Sequence, residues 1–159
     1  MYRHFNDCLE PLARAVASNI ESGRIGGPVF LRWTVLADTL DGGIESAICA
    51  MASKASDWMG SPLRSLFAMA SSGCSTITVL ADFPAGQTAL LTAGRAHGRP
   101  EIDFTLLGEN GALYHHDLPQ FVPQGNFDAD RCGRDELILE MVRDSLRSGS
   151  PVSWKRSGQ

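Results

Sequence analysis

The stretch STITVLADFPAGQTALLTA, residues 75–93, followed by IDFTLLGENGALYHH, residues 102–116, decides the fold. Ile77, Val79 and Ala81 alternate with Thr76, Thr78 and Leu80, the period of two that gives a strand distinct faces. Ala89, Leu91 and Ala93 alternate in the same way with Thr88, Leu90 and Thr92, and Ile102, Phe104 and Leu106 with Asp103, Thr105 and Leu107. Turn residues separate the runs, and Gly108-Glu109-Asn110-Gly111 is a hairpin signal that leads into Ala112–His116. A further run, Leu63–Ala70, precedes them.

One face of these strands is Ile, Val, Ala, Leu and Phe. The other is mainly Thr and Leu, with Asp103 the one charge in these alternations. A face left in water normally carries charge. The expectation is a sheet covered on both sides, with helices on one and a second subunit on the other. The strand preference of Thr is the plain alternative.

Upstream, Leu9, Leu12, Ala13, Val16 and Ile20 recur at helical spacing, with Asp7 as a possible cap and Gly23 as the stop. Val29–Ala37 then reads as a strand, Asp41-Gly42-Gly43 breaks it, and Ile44–Met59 reads as a helix rich in Ala, Ser and Met. Downstream, 117–131 is a Pro- and Gly-containing loop. A last helix spans Arg134–Arg147, with Leu137, Ile138, Met141 and Val142 inward. Helix, strand, helix, hairpin-linked strands, helix is an α+β order: an open, mostly antiparallel sheet with helices on one face. It lacks the strand–helix alternation and the Gly-x-Gly-x-x-Gly of a nucleotide-binding domain. Residues 1–159 read as one domain.

Composition narrows the function. With 43% hydrophobic residues the chain has material for a normal core, and a net charge of −4 without a basic stripe argues against nucleic acid. No segment has the apolar length of a membrane span or a signal peptide. Cys8, Cys49, Cys74 and Cys132 lack metal-site or redox-pair spacing, which predicts reduced thiols in a cytoplasmic protein.

Several pieces in order resemble the Gfo/Idh/MocA oxidoreductases over residues 8–153: Ser22-Gly23-Arg24-Ile25-Gly26, Gly42-Gly43 before a helix, Trp58-Met59-Gly60-Ser61-Pro62, Gly108-Glu109-Asn110-Gly111-Ala112-Leu113 and Gly149-Ser150-Pro151-Val152. The resemblance implies the C-terminal domain alone, the part that holds sugar- or polyol-type substrates and forms the oligomer. The family's preceding nucleotide-binding domain, with its active-site lysine, has no counterpart here. Aligned without a gap from Gly43 to Trp58, the family's Asp, Gly, His and Asp positions are Ala47, Cys49, Met51 and Lys54. A thioether cannot exchange the substrate's proton, so the family's hydride transfer is not expected of this chain acting alone. Sliding the register does not help, because no histidine lies between His4 and His97.

The remaining candidates are modest. Lys54, with Met51, Cys49, His115 and His116, would line a degenerate pocket for a small hydroxylated molecule, Lys54 meeting a carboxylate or phosphate. His115 and His116 are neighbours on a strand and point to opposite faces. His4 with Cys8 has helical metal-ligand spacing but reads as a frayed end, and Met51, Met59 and Met69 with Cys49 read as core. Asp103 and Glu109 could pair with arginines. No cofactor and no metal is expected. The function expected is that of a non-catalytic binding or assembly protein, a pseudoenzyme that forms a homodimer through its sheet or joins a complete or partial oxidoreductase subunit. The alternatives are a repurposed pocket doing non-redox chemistry, and the substrate-side half of a split NAD(P)-dependent enzyme.

Overall fold

A computed structural model describes residues 5–38, 40, 42–96, 101–116 and 134–154, without the side chains of 5–11 and 134. His4, the side chain of Cys8, Cys132 and the expected loop at 117–131 lie outside the described residues. The first apolar stripe forms α1, Phe5–Glu21. It begins ahead of Asp7, which therefore sits inside the first turn and not outside it as a cap. Val16 is buried on its inner face, with Leu12, Ala13 and Ile20 packed beside it.

Strand β1, Pro28–Ala37, follows, and then α2, Gly43–Met59. The break between them needs glycine. Gly42 and Gly43 have φ of 78° and 83°, a left-handed conformation that costs other residues energy. The Gly43 N–H donates to the Leu40 carbonyl at 2.8 Å and the Ser46 hydroxyl to the Gly42 carbonyl at 2.7 Å. At the far end of α2 the Ser61 N–H donates back to the Ser56 carbonyl, closing the helix in a Schellman-type turn at Gly60.

The hairpin region gives β2, Ser65–Ala70, β3, Thr76–Asp82, β4, Thr88–Arg95, β5, Glu101–Gly108, and β6, Ala112–His116. Helix α3, Arg134–Ser148, leads to β7, Val152–Ser153. The sheet order is β6-β5-β1-β4-β3-β2-β7. All neighbours are antiparallel except β1 and β4, so the α+β class and the open, mostly antiparallel sheet are as expected. The added element is β7, whose two residues pair with Ser65 and Leu66.

One face of the sheet carries the core. Leu31, Val35, Val79, Ala81, Ala89, Leu91, Ala93 and Leu106 are fully buried, and so are Ala47, Ile48, Met51, Ala52 and Ala55 from α2. The alanines let α2 lie close on the sheet, while Trp33, Trp58 and Phe104 fill the space beside it with ring centroids 5.3–5.9 Å apart. Each such pair contributes about 0.5–1.5 kcal/mol beyond its buried area.

Ser145 fastens α3 to the sheet. Its buried hydroxyl accepts from the Ala68 N–H at 2.9 Å and donates to the Ser150 carbonyl at 2.8 Å. β7 is too short to reach Ala68, so the hydroxyl takes the place of a neighbouring strand there. Ser145→Ala leaves a buried donor without its partner and is expected to cost about 2 kcal/mol in urea unfolding. A loss below about 0.5 kcal/mol, the scale of a neutral surface change, would show that the hydroxyl is dispensable.

Candidate functional site: a cleft on the helices and an open sheet face

Helix α2 sorts the candidate positions by the direction each points. Ala47 and Met51 are fully buried, and Cys49 is 4% exposed. Met51 is sealed in the core and presents no proton donor or acceptor to solvent. Cys49 faces α3: burial first, then the charges of Asp135 and Glu45, push its thiol up to about 12, against a partial lowering by Arg143. The Glu45 carboxylate is itself bridged by Arg143 at 2.9 Å.

A thiol so shifted is protonated at neutral pH and is no nucleophile. At pH 8 only on the order of one Cys49 in 10⁴ is thiolate, against about one in four for an ordinary thiol. Alkylation at pH 8 followed by peptide mapping is therefore expected to modify exposed Cys74 and spare Cys49 in the native state. Equal labelling of the two would contradict the burial of Cys49.

Lys54 points the other way. It lines a cleft of about 390 Å³ between α1 and α2, together with Arg14, Glu21, Asp57 and Trp58 and the small apolar side of α1, Ala13, Ala17 and Ile20. Asp57 and Trp58 follow Lys54 by three and four residues, a spacing that puts them on its helix face and that the sequence therefore carried. Arg14 and Glu21 come from α1, and no local pattern linked them to Lys54.

The histidines do not join this cleft's lining. His115 is the register partner of Phe104 and lies half-buried on the helix side of β6, while exposed His116 is opposite Asp103 on the other side. The five expected pocket residues are thus dispersed: Lys54 in the cleft, Met51 in the core, Cys49 toward α3, and the two histidines on opposite faces of an edge strand. Among the described residues no group of three His, Cys, Asp or Glu side chains could hold a metal ion.

The second candidate surface is the sheet face turned away from the helices. Register fixes its rows: Phe67, Leu80, Leu90, Arg32, Thr105 and Tyr114 form one across β2, β3, β4, β1, β5 and β6. Met69, Thr78, Thr92, Thr34, Asp103 and His116 form the next. Met69, Leu80 and Tyr114 are 51%, 41% and 74% exposed. Asp103 is not the lone charge of this face. Arg32 stands beside it and bridges it at 2.6 Å, and Asp82 and Glu101 lie on the same face. The pair is partly neutralised, and the central rows remain Thr and large apolar side chains. Glu109 does not pair with an arginine in the hairpin turn; its carboxylate accepts from the Gly27 N–H at 3.3 Å.

No family model matches this chain, and no curated protein matches it in sequence. Solved structures match it in fold. The scyllo-inositol dehydrogenase of Lactobacillus casei, solved with NAD(H) and scyllo-inositol, shares 12% identity at a TM-score of 0.72, over 94% of this chain and 63% of its own. A myo-inositol dehydrogenase from Corynebacterium glutamicum gives 13% and 0.72, over 96% of this chain and 64% of its own. A levoglucosan dehydrogenase in complex with NADH and levoglucosan gives 14% and 0.68, over 96% and 65%. The chain thus spans less than two thirds of the length of these neighbours. They are oxidoreductases of the Gfo/Idh/MocA type, and the shared part is the helix-backed open sheet of their C-terminal domain.

Proposed function

We propose that this oxidoreductase-like domain is a non-catalytic binding and assembly module that pairs with a second copy of itself through its open sheet face. The observation that carries the reading is the row from Phe67 to Tyr114: Phe67, Leu80, Leu90 and Tyr114 stand in one register row with Arg32 and Thr105 across six strands, with Leu80 and Tyr114 exposed. Six strands spaced about 4.8 Å apart, five to ten residues long, give a face of roughly 24 by 24 Å, about 600 Å² in projection, against the ~800 Å² per partner of a standard interface. A two-fold axis through the face would set Thr and Leu against their own copies, so self-pairing needs no complementary partner. Arg32 and Asp103 enter the interface already paired, which lowers the cost of their desolvation.

The chemistry of α2 supports the non-catalytic half of the proposal. The position aligned with the family's histidine is a buried thioether, and the neighbouring thiol is held protonated. Incubating the protein with NAD⁺ or NADP⁺ and a panel of inositols and sugars is expected to yield no reduced nicotinamide above the blank. Substrate-dependent reduction by the purified chain would overturn this half.

A second reading has its own support in the 63–65% of the neighbours' lengths that the chain spans. The domain would then be the substrate-side part of a larger NAD(P)-dependent oxidoreductase. Reduction of nicotinamide that appears only when a separate nucleotide-binding subunit is added would favour it.

A further inference from the structure

The cleft between α1 and α2 is on the helix side, remote from the open face, and the assembly reading makes no use of it. Its walls carry charge in an unusual arrangement. Lys54 on α2 and Glu21 on α1 both line it, yet no ion pair joins them and neither is bonded to another described residue. Lys54 is half-buried and Glu21 exposed at the rim; for Lys54, a partly desolvated ammonium without a counter-ion is unfavourable. Arg14 and Asp57, the other charged lining residues, already have interactions of their own. The rest of the lining is apolar: Ala13, Ala17, Ile20 and the small accessible part of Trp58.

We propose that this cleft binds a small zwitterion with an apolar body, an α-amino acid with an aliphatic or aromatic side chain. The Lys54 ammonium would take the ligand's carboxylate and the Glu21 carboxylate its ammonium, while Ala17, Ile20 and Trp58 receive the side chain. A zwitterion meets both charges at once, whereas a simple anion on Lys54 would place a like charge in a cleft that Glu21 and Asp57 also line. The volume of about 390 Å³ falls in the range of small-molecule sites. Charge-assisted bonds at both ends of the ligand give the cleft selectivity that burial alone would not.

The test is calorimetric titration of the whole chain with L-leucine and L-phenylalanine, each beside its N-acetyl and its amide derivative. At least one free amino acid is expected to bind with a dissociation constant of about 1 mM or tighter, and each blocked derivative about tenfold more weakly, because one charged contact is lost. Lys54→Met and Glu21→Gln are expected to weaken the free amino acid about tenfold or more, each abolishing discrimination at its own end only. Both positions are outside the core, and circular dichroism of the variants confirms that they fold. Neither amino acid binding up to roughly 50 mM, derivatives binding as well as the free forms, or variants binding like the original chain would each overturn the proposal. None of these outcomes bears on assembly through the sheet, which the oligomeric state of the same samples reports separately.

Discussion

Leu80→Lys is expected to convert the protein to a monomer while leaving its fold intact. Leu80 stands on β3 in the middle rows of the open face, between Phe67 and Leu90, and is 41% exposed. It takes no part in the buried core on the helix side, so thermal unfolding of the monomeric form should change little. In a face-to-face dimer, by contrast, each copy would bury an ammonium among Phe67, Leu90 and Thr78, where the one carboxylate near it on the strand, Asp82, already accepts from the Ser65 hydroxyl. Arg32, across β4 from it, is a second cation and is already committed to Asp103. The penalty of two such charges per dimer is several kcal/mol, so dissociation should be favoured by more than about 100-fold. A Leu80→Lys protein whose self-association matches that of the original chain would remove β3 from any interface.

Gly108→Ala is expected to be the most destabilising of the conservative changes in the chain. Gly108 ends β5 where the β5–β6 turn docks on the loop between α1 and β1. A methyl group there would run into the backbone carbonyl of Ile25, deep inside contact distance. That carbonyl cannot retreat freely, because it accepts from the Asn110 N–H at 2.9 Å while the Gly27 carbonyl accepts from Glu109 at 3.0 Å. Either the turn lifts off and these bonds are lost, or the strand shifts against β1. The expected loss is about 3 kcal/mol, the upper end of overpacking effects, or a fall in Tm of roughly 6–12 °C for a domain of this size. Gly111→Ala, in the same turn, is the matched control. Its added carbon would meet its nearest neighbour at an ordinary 3.6 Å, and a change within about 1 kcal/mol is expected. Similar losses at both positions would mean that the turn tolerates or rejects side chains for a reason other than this contact.

Much of the architecture was legible because it rests on local periodicity. The alternation of Ile77 and Val79 with Thr78 and Leu80 gave both the strand and the two faces, and Val29–Ala37 and Ile44–Met59 fall within a residue of β1 and α2. β7 was not legible: two residues carry no period, and the strand exists because β2 offers its free edge at Ser65 and Leu66 to Val152 and Ser153. The charge balance of the open face was not legible either, for a related reason. Asp103 gains its partner from Arg32, 71 residues earlier in the chain, a pairing made by register between strands. The cleft shows the same limit. Lys54, Asp57 and Trp58 share a helix face by spacing alone, but Arg14 and Glu21 reach them only through the packing of α1 on α2. The histidines illustrate the opposite case. That they point to opposite faces followed from adjacency, and the fold places them so.

The most direct test of the account is the mass of the purified chain in solution, measured by light scattering or sedimentation equilibrium at micromolar concentration. The account predicts a species of twice the 17.1 kDa chain mass, which Leu80→Lys returns to the monomer. A single 17.1 kDa species throughout that range would contradict assembly through the sheet.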